Sequence, residues 1–187
     1  IAANSPALKA MKIVDWTTAT DPLTDNDPTW LDMKDQVTAA AGTFTYGDTT
    51  YTAPAATGSY RIALFSEASL GGASEYGRAC GSDLNRDGDC TDSFAVLWDG
   101  GSNVWVDTNQ DNSFADETAM TDYKVKYDMG TFGTDNSATT GVRESVPFVV
   151  QTDGKDKYVN IGIVSGAHGT HVAGIAAGKD FLGGTFD

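Results

Sequence analysis

The sequence predicts a mainly β protein with some α, an α+β fold, on three observations. Between roughly residues 40 and 155, short apolar or alternating runs recur between turn-forming residues, as antiparallel strands do. Helix start signals of the Ser-Pro or Asp-Pro kind are read near the N-terminus, at Ser5-Pro6 and Asp27-Pro28. The grammar changes again in the last thirty residues. There an apolar run, residues 158–164, leads into a small-residue stretch, 169–177, that reads as a tightly packed helix.

Taken in order, Ser5-Pro6 predicts a short helix over residues 8–11, followed by a strand over 12–16. Asp27-Pro28 repeats the start signal, and Trp30, Leu31 and Met33 supply apolar positions for one or two helical turns. From Gly42 onward the pattern is β. Residues 43–46 (TFTY) and 49–52 (TTYT) flank a Gly47-Asp48 turn and predict a hairpin. Residues 59–66 form a further strand, and 94–98 (FAVLW) and 104–106 (VWV) form two more around the turn 99–103. Residues 123–127 (YKVKY) alternate cleanly, which predicts a half-exposed strand. The Gly-, Thr-, Asp- and Asn-rich segment 129–140 reads as a long loop. Residues 146–151 and 158–164 are the last two strands, joined by the turn 153–156.

The chain of 187 residues can bury a real core, and 40% hydrophobic with 20% charged residues suits a globular protein, not a disordered one. No apolar run approaches the roughly 20 residues that span a bilayer, and the N-terminus does not read as a signal peptide. A net charge of −14 argues against nucleic acid and anionic membranes as partners. Much of that charge is Asp in two loops, which points to cations.

Those loops form a weak internal repeat. Asp83-Leu84-Asn85-Arg86-Asp87-Gly88-Asp89-Cys90-Thr91-Asp92 aligns with Asp107-Thr108-Asn109-Gln110-Asp111-Asn112-Ser113-Phe114-Ala115-Asp116 at an offset of 24 residues. Both carry oxygen side chains at positions 1, 3, 5, 7 and 10. Alternating oxygens on a tight loop converge on a hard cation such as calcium, and Gly88 sits where an EF-hand loop turns sharply. The candidate ligands are therefore Asp83, Asn85, Asp87, Asp89 and Asp92 in one loop and Asp107, Asn109, Asp111, Ser113 and Asp116 in the other. The EF-hand match is incomplete: position 12 is Phe94 or Thr118, not Glu, and no helices flank either loop. The plain alternative is that Asp, Asn and Gly are what β-turns use. Cys80 and Cys90 bracket part of the first loop, and a disulfide between them implies an oxidising, extracellular setting; two free thiols in a cytosolic protein are the alternative.

His168 and His171 are the only histidines. A zinc site needs a third protein ligand, and His-Glu-x-x-His is absent. The surrounding residues, Ser165-Gly166-Ala167-His168-Gly169-Thr170-His171-Val172-Ala173-Gly174-Ile175-Ala176-Ala177-Gly178, closely resemble the histidine motif of the subtilisin-like serine proteases, the subtilases. The segments 107–124 and 130–134 resemble a long insertion between catalytic Asp and His in the branch of the pyrolysin and tripeptidyl-peptidase II type. The resemblance implies that His168 is the general base, taking a proton from a serine and returning it to the leaving amine. It implies that His171 is non-catalytic.

No Asp-Thr-Gly, Asp-Ser-Gly or Gly-Thr-Ser-Met-Ala occurs, so neither the orienting aspartate nor the nucleophile is found here. The expectation is a middle piece of a secreted endopeptidase, inactive alone. Residues 1–157 would form the β-rich insertion domain, and 158–187 one strand and helix of the α/β core. Its expected partners are the remainder of the protease core, a peptide or protein substrate in the parent, and a second copy of the chain. The competing reading is a non-catalytic, calcium-stabilised β domain that binds peptides or sugars on an aromatic platform of Trp98, Trp105 and Tyr123.

Overall fold

Residues 93–98 are apolar almost without interruption, and a strand of that kind needs cover on both faces. It has both in the computed structural model, which describes residues 28–70, 83–133 and 146–163. The strands are β1 (Trp30–Asp32), β2 (Gln36–Ala39), β3 (Thr43–Tyr46), β4 (Thr49–Thr52), β5 (Gly58–Ser66), β6 (Ser93–Trp98), β7 (Val104–Val106), β8 (Gly130–Phe132), β9 (Val146–Asp153) and β10 (Tyr158–Ile163). They form two four-stranded sheets, ordered β1-β10-β9-β8 and β2-β5-β6-β7, and a hairpin, β3-β4. Every strand pairing is antiparallel.

The period-two alternation of β6 sets the layers. Phe94, Val96 and Trp98 face the first sheet, where they meet Leu31, Phe132, Phe148, Val150, Val159 and Ile161. Ala95 and Leu97 face the other way, towards the hairpin, with Val37, Phe44, Tyr51, Ile62 and Phe114. The central sheet is thus sandwiched. On the hairpin side, the rings of Phe44, Tyr51 and Phe114 lie 5.5 to 6.1 Å apart between centroids. On the other side Phe132 is the hub, 4.6 Å from Phe94, 4.4 Å from Phe148 and 6.0 Å from Phe65.

The hairpin, β5, β6, β7, β9 and β10 lie where the sequence places them. Several expectations are corrected. The α+β class does not hold: the regular structure of the described residues is antiparallel β, with one short helix, α1 (Tyr123–Lys126), and a 3-10 turn (Glu67–Ser69). The strand assigned to an α/β core, β10, lies in an antiparallel sheet between β1 and β9. The Asp27-Pro28 signal does not open a helix over 30–33, because Trp30 to Asp32 pair with Asn160 to Tyr158 as β1. Residues 123–127 form α1 and its C-cap, Tyr127, not a strand. Asp122 caps it by accepting the Lys124 N–H at 2.9 Å, Tyr127 closes it with φ 60°, and Tyr123 packs edge-to-face on Tyr127. The second Asp122 oxygen accepts the Thr152 N–H and ties α1 to β9. Within the segment read as a long loop, 130–132 form β8, paired with β9.

The aromatic platform does not form. Trp98 is fully buried between the sheets, Trp105 packs on the opposite face against Tyr60, and Tyr123 is on α1. The segments expected at 8–11, 12–16 and 169–177 lie outside the described residues.

Since Phe132 is fully buried among three aromatic rings, Phe132→Ala is expected to destabilise the protein by ~3–5 kcal/mol. Urea denaturation measures this, and a loss below ~1 kcal/mol would contradict the sandwich packing.

Candidate cation-binding loops

The pairing of β6 with β7 brings the two acidic loops together. The first loop, 83–92, runs into the start of β6, and the second, 107–116, leaves the end of β7. The strands are antiparallel with Val96 opposite Val106, so those ends coincide. The Asp107 N–H donates to the Ala95 carbonyl at 2.9 Å, and Asn85 Nδ2 lies 3.4 Å from Gln110 Oε1 across the gap. Each loop is also anchored on its far side. Thr52 of the hairpin holds the second loop by two backbone hydrogen bonds, Phe114 N–H to the Thr52 carbonyl and Thr52 N–H to the Asn112 carbonyl. Gly133, with φ +71°, lies against the Asn85 carbonyl, where a Cβ would stand 2.5 Å from the oxygen.

The two loops adopt the same internal geometry. Position 1 accepts the N–H of position 6: Gly88 to Asp83 Oδ2 at 3.2 Å and Asn112 to Asp107 Oδ2 at 3.1 Å. Position 3 Oδ1 accepts the N–H of position 5 at 3.3 Å in both. Position 5 Oδ1 accepts the N–H of position 7 at 2.8 Å in both. The backbone turns through positive φ at position 4, in Arg86 (63°) and Gln110 (57°), and at position 6, in Gly88 (95°) and Asn112 (63°). Asn tolerates that left-handed conformation better than most residues, which explains how Asn112 stands where the first loop has glycine.

At the centre of each loop is an asparagine amide. Asn85 Nδ2 donates to Asp87 Oδ2 (3.1 Å) and Asp92 Oδ2 (2.9 Å). Asn109 Nδ2 points to Asp111 Oδ2 (3.2 Å) and Asp116 Oδ2 (3.4 Å). The partly positive amide hydrogens therefore occupy the position to which the carboxylates converge. Turning the amide over would present Oδ1 there instead.

The surroundings are electrostatically demanding. None of the loop carboxylates forms an ion pair with a described Lys or Arg. Asp83 Oδ1 and Asp107 Oδ1 are buried with no hydrogen-bond partner. Burial pushes the Asp107 carboxyl up to about 6, helped by Asp111 and Glu117. An open cavity of about 340 Å³ lies beside the second loop, lined in part by Asp116, Glu117 and Asp128.

The structure brings Asp87 and Asp92 to the amide of Asn85, and Asp111 and Asp116 to that of Asn109, while Asp83 and Asp107 accept the N–H of position 6. It does not bring position 7 in. Asp89 Oδ1 accepts from the Thr91 N–H and hydroxyl, which hold its carboxyl below the usual range, and Ser113 Oγ accepts the Ala115 N–H. Among the described residues no three His, Cys, Asp or Glu side chains are arranged to hold a metal ion. The loops as they stand converge on an amide. Two carboxylates that sequence reasoning missed also touch them. Glu67 Oε1 accepts the Leu84 N–H at 2.5 Å, and Glu117 Oε1 accepts the Thr108 N–H at 2.6 Å and its hydroxyl at 3.0 Å. Glu117 follows the second loop directly, a visible signal, whereas Glu67 lies far upstream. Cys90 is not a free thiol; Cys80, His168 and His171 lie outside the described residues.

The fold and loops define an antiparallel β sandwich with two acidic loops at one end. A stretch of 103 residues, 52% of the chain, is 37% identical to pyrolysin of Pyrococcus furiosus. This likeness supports a region related to the subtilisin-like proteases. The chain spans 7% of the length of that relative. No protein-family model and no solved structure matches the chain. Among the described residues, no helix is long and apolar enough to cross a membrane.

Asn85→Asp replaces the central amide with another carboxylate. In chelator it is expected to destabilise the protein by about 1–3 kcal/mol. Thermal melts in chelator measure this; an unchanged melt would show that the amide does not hold the carboxylates together.

Proposed function

We propose that this chain is part of a secreted subtilisin-like serine endopeptidase, of the pyrolysin and tripeptidyl-peptidase II type, from the region between catalytic aspartate and histidine. The observation that carries this reading is the 37% identity to pyrolysin, supported by the motif around His168. In the parent enzyme His168 is the general base: its imidazole accepts the serine proton during attack on the peptide carbonyl and donates it to the leaving amine. The aspartate and serine come from outside this sequence, so the chain alone has no complete mechanism. Its partners are the rest of the protease core and, in the assembled enzyme, a peptide or protein substrate.

The two acidic loops act in this reading as structural calcium sites. Asp83, Asn85, Asp87 and Asp92 serve the first, and Asp107, Asn109, Asp111 and Asp116 the second, once the asparagine amides turn their oxygens inwards. Support comes from the shared loop geometry, the buried unpartnered Asp83 and Asp107 oxygens and the absence of ion pairs with described basic residues. A Cys80–Cys90 disulfide would brace the first loop, in keeping with an extracellular location.

In the parent enzyme, His168→Ala is expected to lower kcat on a peptide anilide by a factor on the order of 10⁴–10⁶; a loss below tenfold would remove the general-base role. Calorimetric titration of the chain with calcium is expected to show binding at both loops. At a hundredfold excess over Kd, each site should add about 2.7 kcal/mol of stability. Flat heats would return both loops to ordinary turns.

A further inference from the structure

We propose that Glu67, carried in from the end of β5, is the ligand that completes the cation site of the first loop. This rests on the calcium reading of that loop. Glu67 is 2% exposed, in the 3-10 turn that follows β5. One carboxylate oxygen holds the loop, accepting the Leu84 N–H at 2.5 Å. The other, Oε2, is buried and has no hydrogen-bond partner. Asp83, the residue before Leu84, also carries a buried, unpartnered oxygen. Two such buried carboxylate oxygens, on Glu67 and on the neighbour of the Leu84 that Glu67 holds, are costly to bury without a positive charge. A proton satisfies one of them; a divalent cation satisfies both.

The loop has a place for this ligand. Its position 12 is Phe94, which is fully buried in the core and offers no oxygen. A hard cation of calcium size takes six to eight oxygens, and the loop's own side chains fall short of that number once Asp89 turns to Thr91. Glu67 makes good the shortfall from outside. Its backbone N–H donates to the Asp92 carbonyl at 3.0 Å, so the same residue closes both ends of the loop. The second loop repeats the device: the N–H of its position 2, Thr108, is held by Glu117. The sequence repeat does not carry this correspondence, since the position 24 residues after Glu67 is Thr91. Two glutamates of different origin reach the same N–H of equivalent loops.

The test is made in a chain whose second loop is silenced by Asp107→Asn and Asp111→Asn, titrated with calcium chloride. Glu67→Gln keeps the shape and an acceptor for the Leu84 N–H but removes the charge. Calcium affinity of the first loop is expected to fall at least tenfold, while the melting temperature in chelator holds or rises. Glu67→Asp, which keeps the charge, is expected to bind calcium more tightly than Glu67→Gln. Affinity within twofold of the parent in Glu67→Gln, or equal losses in both variants, would overturn the assignment. If the loop with Glu67 intact takes up no calcium, the cation reading itself fails.

Discussion

The pairing of β6 with β7 is the constraint on which the rest of the structure depends. β6 is covered on both faces, so its register decides which residues build the core between the sheets and which build the core under the hairpin. That register also fixes the ends of the two strands, and both acidic loops hang from those ends. Charge repulsion between neighbouring aspartates opposes this arrangement. The apolar burial of Phe94, Val96, Leu97 and Trp98 outweighs it, at roughly 1.5–3 kcal/mol per fully buried large side chain. The core thus holds the carboxylates close whether or not anything binds them.

Much of this was legible in the sequence, for a reason that also explains the failures. β3, β4, β5, β6 and β7 are joined by short turns or carry strong apolar signals, so local grammar sufficed. The acidic repeat was legible too, because the internal hydrogen bonds of each loop are local Asx-type contacts. β1 was not, because its partner is β10, about 130 residues away, and that pairing overrides the Asp27-Pro28 helix signal. Alternation over residues 123–127 misled because a four-residue helix is set by its caps, Asp122 and Tyr127, and not by periodicity. β8 is three residues long and exists through β9.

The candidate site shows the same division. The residues within each loop could be read; Glu67 could not. It approaches through the end of β5, and only the pairing of β5 with β6 puts Ser66 opposite Ser93 and the turn beside the loop. The raised position of its carboxyl, pushed up to about 7 by burial and by Asp92, Asp83 and Asp87, is a consequence of that tertiary placement. Its second oxygen is left buried without a hydrogen-bond partner among the described residues, which is what makes that placement costly.

The fold also relates the loops to the segment that precedes the histidine motif. Gly133, directly after β8, touches the Asn85 carbonyl with no room for a Cβ, so the first loop and the end of β8 fix one another. β8 pairs with β9, and β9 pairs along the whole of β10. β10 ends at Ile163, five residues before His168. Interiors packed like this one transmit displacement instead of absorbing it. The stability of the first loop and the placement of β10 therefore belong to a single packed unit.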